Sequence, residues 1–196
     1  QVQSMSIGYL IDEETPMIWR GPMVTGALEQ LLNDTNWRDL DYLVIDLPPG
    51  TGDIQLTLCQ KIPVSGALIV TTPQDIALLD AKKALKMFEK VQVPVLGIVE
   101  NMSTHICSQC GNEEHIFGKG GGESMAEQYG IELLGSLPLD IQIREGVDNG
   151  KPTVALDPES VISENYRDIA RNAAAKISLQ AKDYTNKFPK IVIENN

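Results

Sequence analysis

The chain has 196 residues, 42% of them hydrophobic, and a formal net charge of -11 from 27 acidic and 16 basic side chains. That length suits one α/β domain with a full core, and the acidity, with no cluster of Lys and Arg, argues against nucleic acid or an anionic membrane as partner. No apolar run is long enough to span a membrane, and the first residues carry no basic region ahead of an apolar segment, so a cytoplasmic protein is expected.

Taken in order, Ser6 to Ile11 reads as a short strand, followed by the acidic Asp12-Glu13-Glu14. Trp19-Arg20 offers either an Arg packed on an aromatic ring, a partner surface or a phosphate contact. Pro22 opens a helix on which Met23, Ala27, Leu28, Leu31 and Leu32 recur at helical spacing, and Asn33-Asp34-Thr35-Asn36 ends it. Tyr42-Leu43-Val44-Ile45 reads as a buried parallel strand with Asp46 at its carboxyl end. Pro48-Pro49-Gly50-Thr51-Gly52 then turns the chain into a helix from about Asp53 to Lys61, on which Cys59 reads as a small buried apolar residue. An acid at such a strand end lies where ligands of open α/β sheets bind and where P-loop NTPases hold Mg²⁺; its plain alternative is a cap on the next turn.

Ala67 to Thr71 is a further apolar strand, and Thr72-Pro73-Gln74 leads into a helix with Leu78, Ala81, Leu85 and Phe88 on its buried face. Val95 to Val99 is another strand, ending in Glu100-Asn101-Met102. The Asn101 amide offers two donors and an acceptor to a nucleotide base, and its plain alternative is a turn residue. After an interruption over 103–122, a helix over 123–129 and a strand over 132–137 resume the alternation. Pro138-Leu139-Asp140 closes that strand. A short helix over 141–146, a loop over 147–152 and a long helix with Ile162, Tyr166, Ile169, Ala173 and Ile177 on one face complete the pattern. The polar tail after Lys182 reads as loosely held, with Ile191-Val192-Ile193 able to add an edge strand. Strands alternating with helices in this way predict an α/β fold, a mostly parallel sheet flanked by helices.

The interruption carries the chemistry. Cys107-Ser108-Gln109-Cys110-Gly111 places two thiols three residues apart on a tight turn, the spacing of a metal site. One chain supplies two sulfurs, so four-thiolate coordination needs a second copy, unless His105 and His115 complete a site of two Cys and two His. A [4Fe-4S] cluster or a zinc ion shared across a two-fold axis satisfies the first option. Redox-active or inert cysteines are the alternatives. Gly118-Lys119-Gly120-Gly121-Gly122-Glu123-Ser124 superficially resembles a phosphate loop, but Glu123 stands where that loop needs Lys, so the run reads as a flexible hinge into a helix. No other stretch of the chain holds a Lys-bearing phosphate loop.

In combination, Met17-Ile18-Trp19-Arg20-Gly21-Pro22-Met23, Asp46-Leu47-Pro48-Pro49-Gly50-Thr51-Gly52-Asp53, Thr71-Thr72-Pro73-Gln74, Gly97-Ile98-Val99-Glu100-Asn101-Met102, the Cys107/Cys110 pair and Gly150-Lys151-Pro152 resemble the Mrp (ApbC-like) iron-sulfur carrier P-loop ATPases of the MinD/ParA group. The resemblance covers nearly the whole chain in the family's order. It implies that Asp46 is the Walker B acid, that Pro48 to Gly52, with Gly50 at its centre, senses the terminal phosphate, that Asn101 contacts adenine, and that Pro138 and Asp140 belong to the base and ribose pocket. It further implies that Cys107 and Cys110 bind a [4Fe-4S] cluster bridging a homodimer, which passes the cluster to apo iron-sulfur proteins, with ATP and Mg²⁺ as the nucleotide cofactors. The family's Lys-rich P-loop lies upstream of the Trp-Arg-Gly-Pro stretch, so residues 1–196 are expected to be one nucleotide-binding-type domain truncated at its amino terminus, with a Cys-containing loop at 103–122 and little or no ATPase activity of its own. The rival readings are a MinD/ParA-type regulatory ATPase, which the acidic chain and the Cys pair count against, and a zinc-bridged dimerisation module with no enzymatic role.

Overall fold

The computed structural model describes residues 2–11, 21–47 and 52–180. Helices α1 (Gly21–Asn33) and α2 (Asp53–Lys61) precede strand β1 (Ala67–Thr71), helix α3 (Asp75–Lys90) and strand β2 (Val95–Glu100). The short strands β3 (His105–Ile106) and β4 (Glu113–Glu114) follow, then α4 (Gly121–Tyr129), β5 (Leu133–Ser136), α5 (Ile141–Asp148), α6 (Thr153–Leu156) and α7 (Val161–Leu179). Strands β1, β2 and β5 form a parallel sheet with β2 in the middle, while β3 and β4 make a separate antiparallel hairpin.

The middle strand is apolar from Val95 to Val99, as its burial between helices on both faces requires. Ile98 points into a layer built from Cys59 of α2, Leu85 and Phe88 of α3 and Met125 and Ala126 of α4. Val99, the next residue, points the other way into Leu134 and Leu137 and the α7 residues Ile169 and Ala173. The periodicities read from the sequence for α3 and α7 therefore face the core as expected, and Cys59 is buried, its thiol pushed up from the ordinary range by that burial. Helix α1 ends where its last carbonyls find side-chain donors, Leu31 from the Thr35 hydroxyl at 2.5 Å and Leu32 from the Trp37 indole at 3.0 Å.

The structure departs from expectation in the amino-terminal third. Ser6 to Ile11 is no strand: Ile7–Tyr9 forms a 3-10 turn, because the Ser6 hydroxyl accepts the Gly8 amide and the Ser6 carbonyl accepts that of Tyr9. Tyr42 to Ile45 is likewise neither buried nor laddered, with Val44 88% exposed. An apolar run becomes a buried strand only when a neighbour takes up its backbone groups and helices cover its faces, and among the described residues no strand pairs with it. Strand β1 shows the same deficit, alternating buried and exposed residues, with Leu68 and Val70 uncovered on the face that α7 does not reach. Helix α6 and the β3–β4 hairpin were not read from the sequence. The suggested edge strand at 191–193 and the Trp19-Arg20 pair lie outside the described residues.

Because Leu85 has no exposed surface, Leu85→Ala should cost about 2–5 kcal/mol in urea unfolding. Leu79→Ala, on the same helix but 55% exposed, should stay within about 0.5 kcal/mol of the parent.

Candidate metal centre

The carboxyl ends of the strands form a polar line, with Thr71 opposite Glu100 and Glu100 opposite Ser136. Thr71 and Glu100 are buried. The Glu100 carboxylate is held by the Gly122 amide, 2.5 Å from its Oε2, in the first turn of α4, where the helix dipole favours a negative charge. A Cβ on Gly122 would stand 3.0 Å from both the Cβ and Oε2 of Glu100, and one on Gly121 would stand 2.9 Å from the Pro73 carbonyl oxygen. The glycine run is thus a close-packed junction and not the flexible hinge expected from its composition.

Beyond β2 the chain is stitched to the segment that follows β5. The Ser103 amide and hydroxyl both donate to the Leu137 carbonyl, at 3.0 and 3.1 Å, and the Leu139 amide donates to the Thr104 carbonyl at 2.7 Å. The β3–β4 hairpin projects from this base with the cysteines in its loop. The Cys107 amide donates to the Asn112 carbonyl at 2.9 Å, the Gly111 amide donates to the Cys107 carbonyl at 2.8 Å, and Gly111 closes the turn at φ 72, which favours glycine. This brings the two sulfurs together. The nearby backbone N–H groups of Cys110 and Gln109, then the Cys110 thiol, hold the pKa of Cys107 below the ordinary thiol range, against smaller opposing effects of burial and of Glu114. Cys107 is half-buried and Cys110 exposed, and both are free thiols. Two soft donors on one accessible turn fit iron or zinc.

Neither histidine joins them. The His105 ring donates from Nδ1 to the Leu139 carbonyl at 3.0 Å, and the His115 ring donates from Nδ1 to the Ser103 carbonyl at 3.0 Å. Among the described residues no group of three or more His, Cys, Asp and Glu surrounds a common point. The single-subunit site of two Cys and two His is therefore not assembled among the described residues, and each chain presents two thiols.

The other expected site residues are dispersed. Asn101 lines a groove of about 680 Å³ together with Leu47, Thr71, Thr72 and Lys83, but its Oδ1 accepts the Met102 amide at 2.9 Å and supports the positive φ of Met102. Pro138 is half-buried in the stitched segment, and Asp140 caps α5 by accepting the Gln142 amide at 2.7 Å. Asp46 is exposed on the unladdered segment, and Gly50 lies outside the described residues. Glu100 and Ser103, which join the sheet to the hairpin, were not singled out by the sequence; only the position of Glu100 at a predicted strand end hinted at its role.

A family model described as the NUBPL iron-transfer P-loop NTPase of the ParA group matches residues 1–174. The chain belongs to this family. Among curated iron-transfer relatives, it is 64% identical over 169 residues to the iron-sulfur cluster carrier protein of Pseudomonas fragi, covering 86% of this chain and 59% of that one. The chain spans about half the length of the curated relatives it matches. Among solved structures, an Archaeoglobus fulgidus nucleotide-binding protein in complex with ADP superposes with a TM-score of 0.61 at 38% identity, covering 70% of this chain and 56% of that one. The MinD cell-division ATPase of Pyrococcus furiosus shares the fold, with a TM-score of 0.57 at 24% identity over 80% of this chain and 59% of that one. The α/β fold of the MinD/ParA-like P-loop NTPases, read from the sequence, is thereby borne out.

Gly122→Ala, which forces a Cβ against Glu100, should lower stability by about 1–3 kcal/mol in chemical unfolding. Gly26→Ala, in α1 with nothing within 4 Å, should instead raise it by about 0.5–1 kcal/mol.

Proposed function

We propose that this chain holds and hands on an iron-sulfur cluster as the cysteine-bearing part of an iron-sulfur cluster carrier. The observation that carries this reading is the thiol pair in the loop of the β3–β4 hairpin, two soft donors per chain on one accessible turn, in a chain of an iron-transfer family. Two donors leave a cubane half-coordinated, so the cargo is a [4Fe-4S] cluster bridging two copies. Apo iron-sulfur proteins are its recipients. Thiols that must stay reduced to bind and release a cluster belong in a reducing compartment, which favours the cytoplasm. ATP and Mg²⁺ act in the longer family protein, whose phosphate loop this chain does not contain.

The cargo rests at the surface for a reason. Cys110 is exposed and the hairpin stands off the sheet, so a recipient's thiolates can reach the cluster and replace these ligands one at a time, as ligand exchange requires. A buried site would hold a cluster and not pass it on.

Anaerobic reconstitution with iron and sulfide should yield about four irons per pair of chains, with visible absorption that is lost in Cys107→Ala and in Cys110→Ala and retained in Cys59→Ala. Uptake of about one zinc per pair with no iron would make the pair a structural clip and remove the carrier reading. Adding ATP with Mg²⁺ to this chain should leave its Tm unchanged, measured by scanning calorimetry; a clear upward shift would reveal a phosphate site.

A further inference from the structure

The only two histidines of the chain flank the thiol hairpin, His105 on its entering strand and His115 just past its leaving strand. A carbonyl oxygen can only accept, so the proton on each ring sits on Nδ1, and each ring binds a backbone carbonyl outside the loop between the cysteines. The two bonds reach in different directions. His105 crosses to Leu139, in the segment after β5 and next to Asp140 at the start of α5, whereas His115 reaches back to Ser103, where the hairpin leaves β2. Strands of two residues each cannot hold the hairpin by their own ladder. The ring bonds supply what the ladder lacks, fixing both legs of the hairpin to the carboxyl ends of β2 and β5.

We propose that His105 and His115 are positioning residues for the thiolate pair, bracing the hairpin through Nδ1–H bonds to the Leu139 and Ser103 carbonyls, and are not ligands themselves. This rests on the reading of Cys107 and Cys110 as cluster donors. A hairpin fixed at both legs presents its two sulfurs at a defined spacing and direction, so the second copy meets a preorganised half-site. The same braces limit how far the hairpin swings when a recipient draws the cluster away.

Asparagine separates bracing from ligation, because its Nδ2–H occupies the position of the imidazole Nδ1–H while nothing replaces Nε2. In the metal-free chain, His105→Ala and His115→Ala should each raise amide hydrogen exchange over residues 103–118 by about fivefold, the loss expected for one hydrogen bond. His105→Asn and His115→Asn should restore protection to near the parental level and keep the parental iron content and visible spectrum after reconstitution. Unchanged exchange in both alanine variants would overturn the bracing role. Asparagine variants that are protected yet lose iron as fully as Cys107→Ala would overturn it too, and would make Nε2 a ligand. The exchange comparison needs no metal, so a parental chain that takes up no iron would count against the carrier reading while leaving the bracing result to stand by itself.

Discussion

Burial of β2 on both faces is the constraint from which the rest of the molecule follows. Once Ile98 packs against α3 and α4 and Val99 against α7, the strand's direction and register are fixed, and its carboxyl end comes out beside those of β1 and β5. A one-residue slip would exchange the two faces and drive Glu100 into an apolar layer. Everything chemical in the described residues is attached to that end: Glu100 receives the first turn of α4, Ser103 is bonded to the Leu137 carbonyl, and the thiol hairpin stands on this base.

The hairpin and the sheet divide the labour differently from an enzyme with a buried centre. The sheet supplies rigidity, through the buried residues of its middle strand, and the hairpin supplies access, through exposed ones. The glycine junction at 120–122 makes that division workable, since it lets α4 begin directly against Pro73 and Glu100 with no intervening side chain. A larger residue there would push the start of α4 away from Pro73 and Glu100.

The sequence disclosed those features whose causes are local. The spacing of Leu78, Ala81, Leu85 and Phe88 specified α3 and its buried face, and Cys107 and Cys110 were legible as two thiols on one turn because their separation is itself the geometry of a turn. Features that depend on a distant partner stayed hidden. His105 meets a carbonyl 34 residues away, so its residue type admitted a ligand as readily as a brace. The run Tyr42 to Ile45 has the composition of a central strand, but composition cannot supply the neighbours that would make it one. Asn101 and Asp140 were read for a nucleotide, and in this structure their oxygens serve the turn after β2 and the cap of α5.

Strand β1 carries a last consequence. It is the edge of its sheet among the described residues, with one row of backbone groups unpaired and Leu68 and Val70 uncovered beside them. Such an edge accepts another strand from any chain that comes close, as concentration alone dictates. If the cluster is shared between two copies as proposed above, strand addition at this edge would be a second and separate route to self-association. The first dissolves with a chelator and the second does not, so the response of a dimer to iron removal, more than its mass, tells which face holds it together.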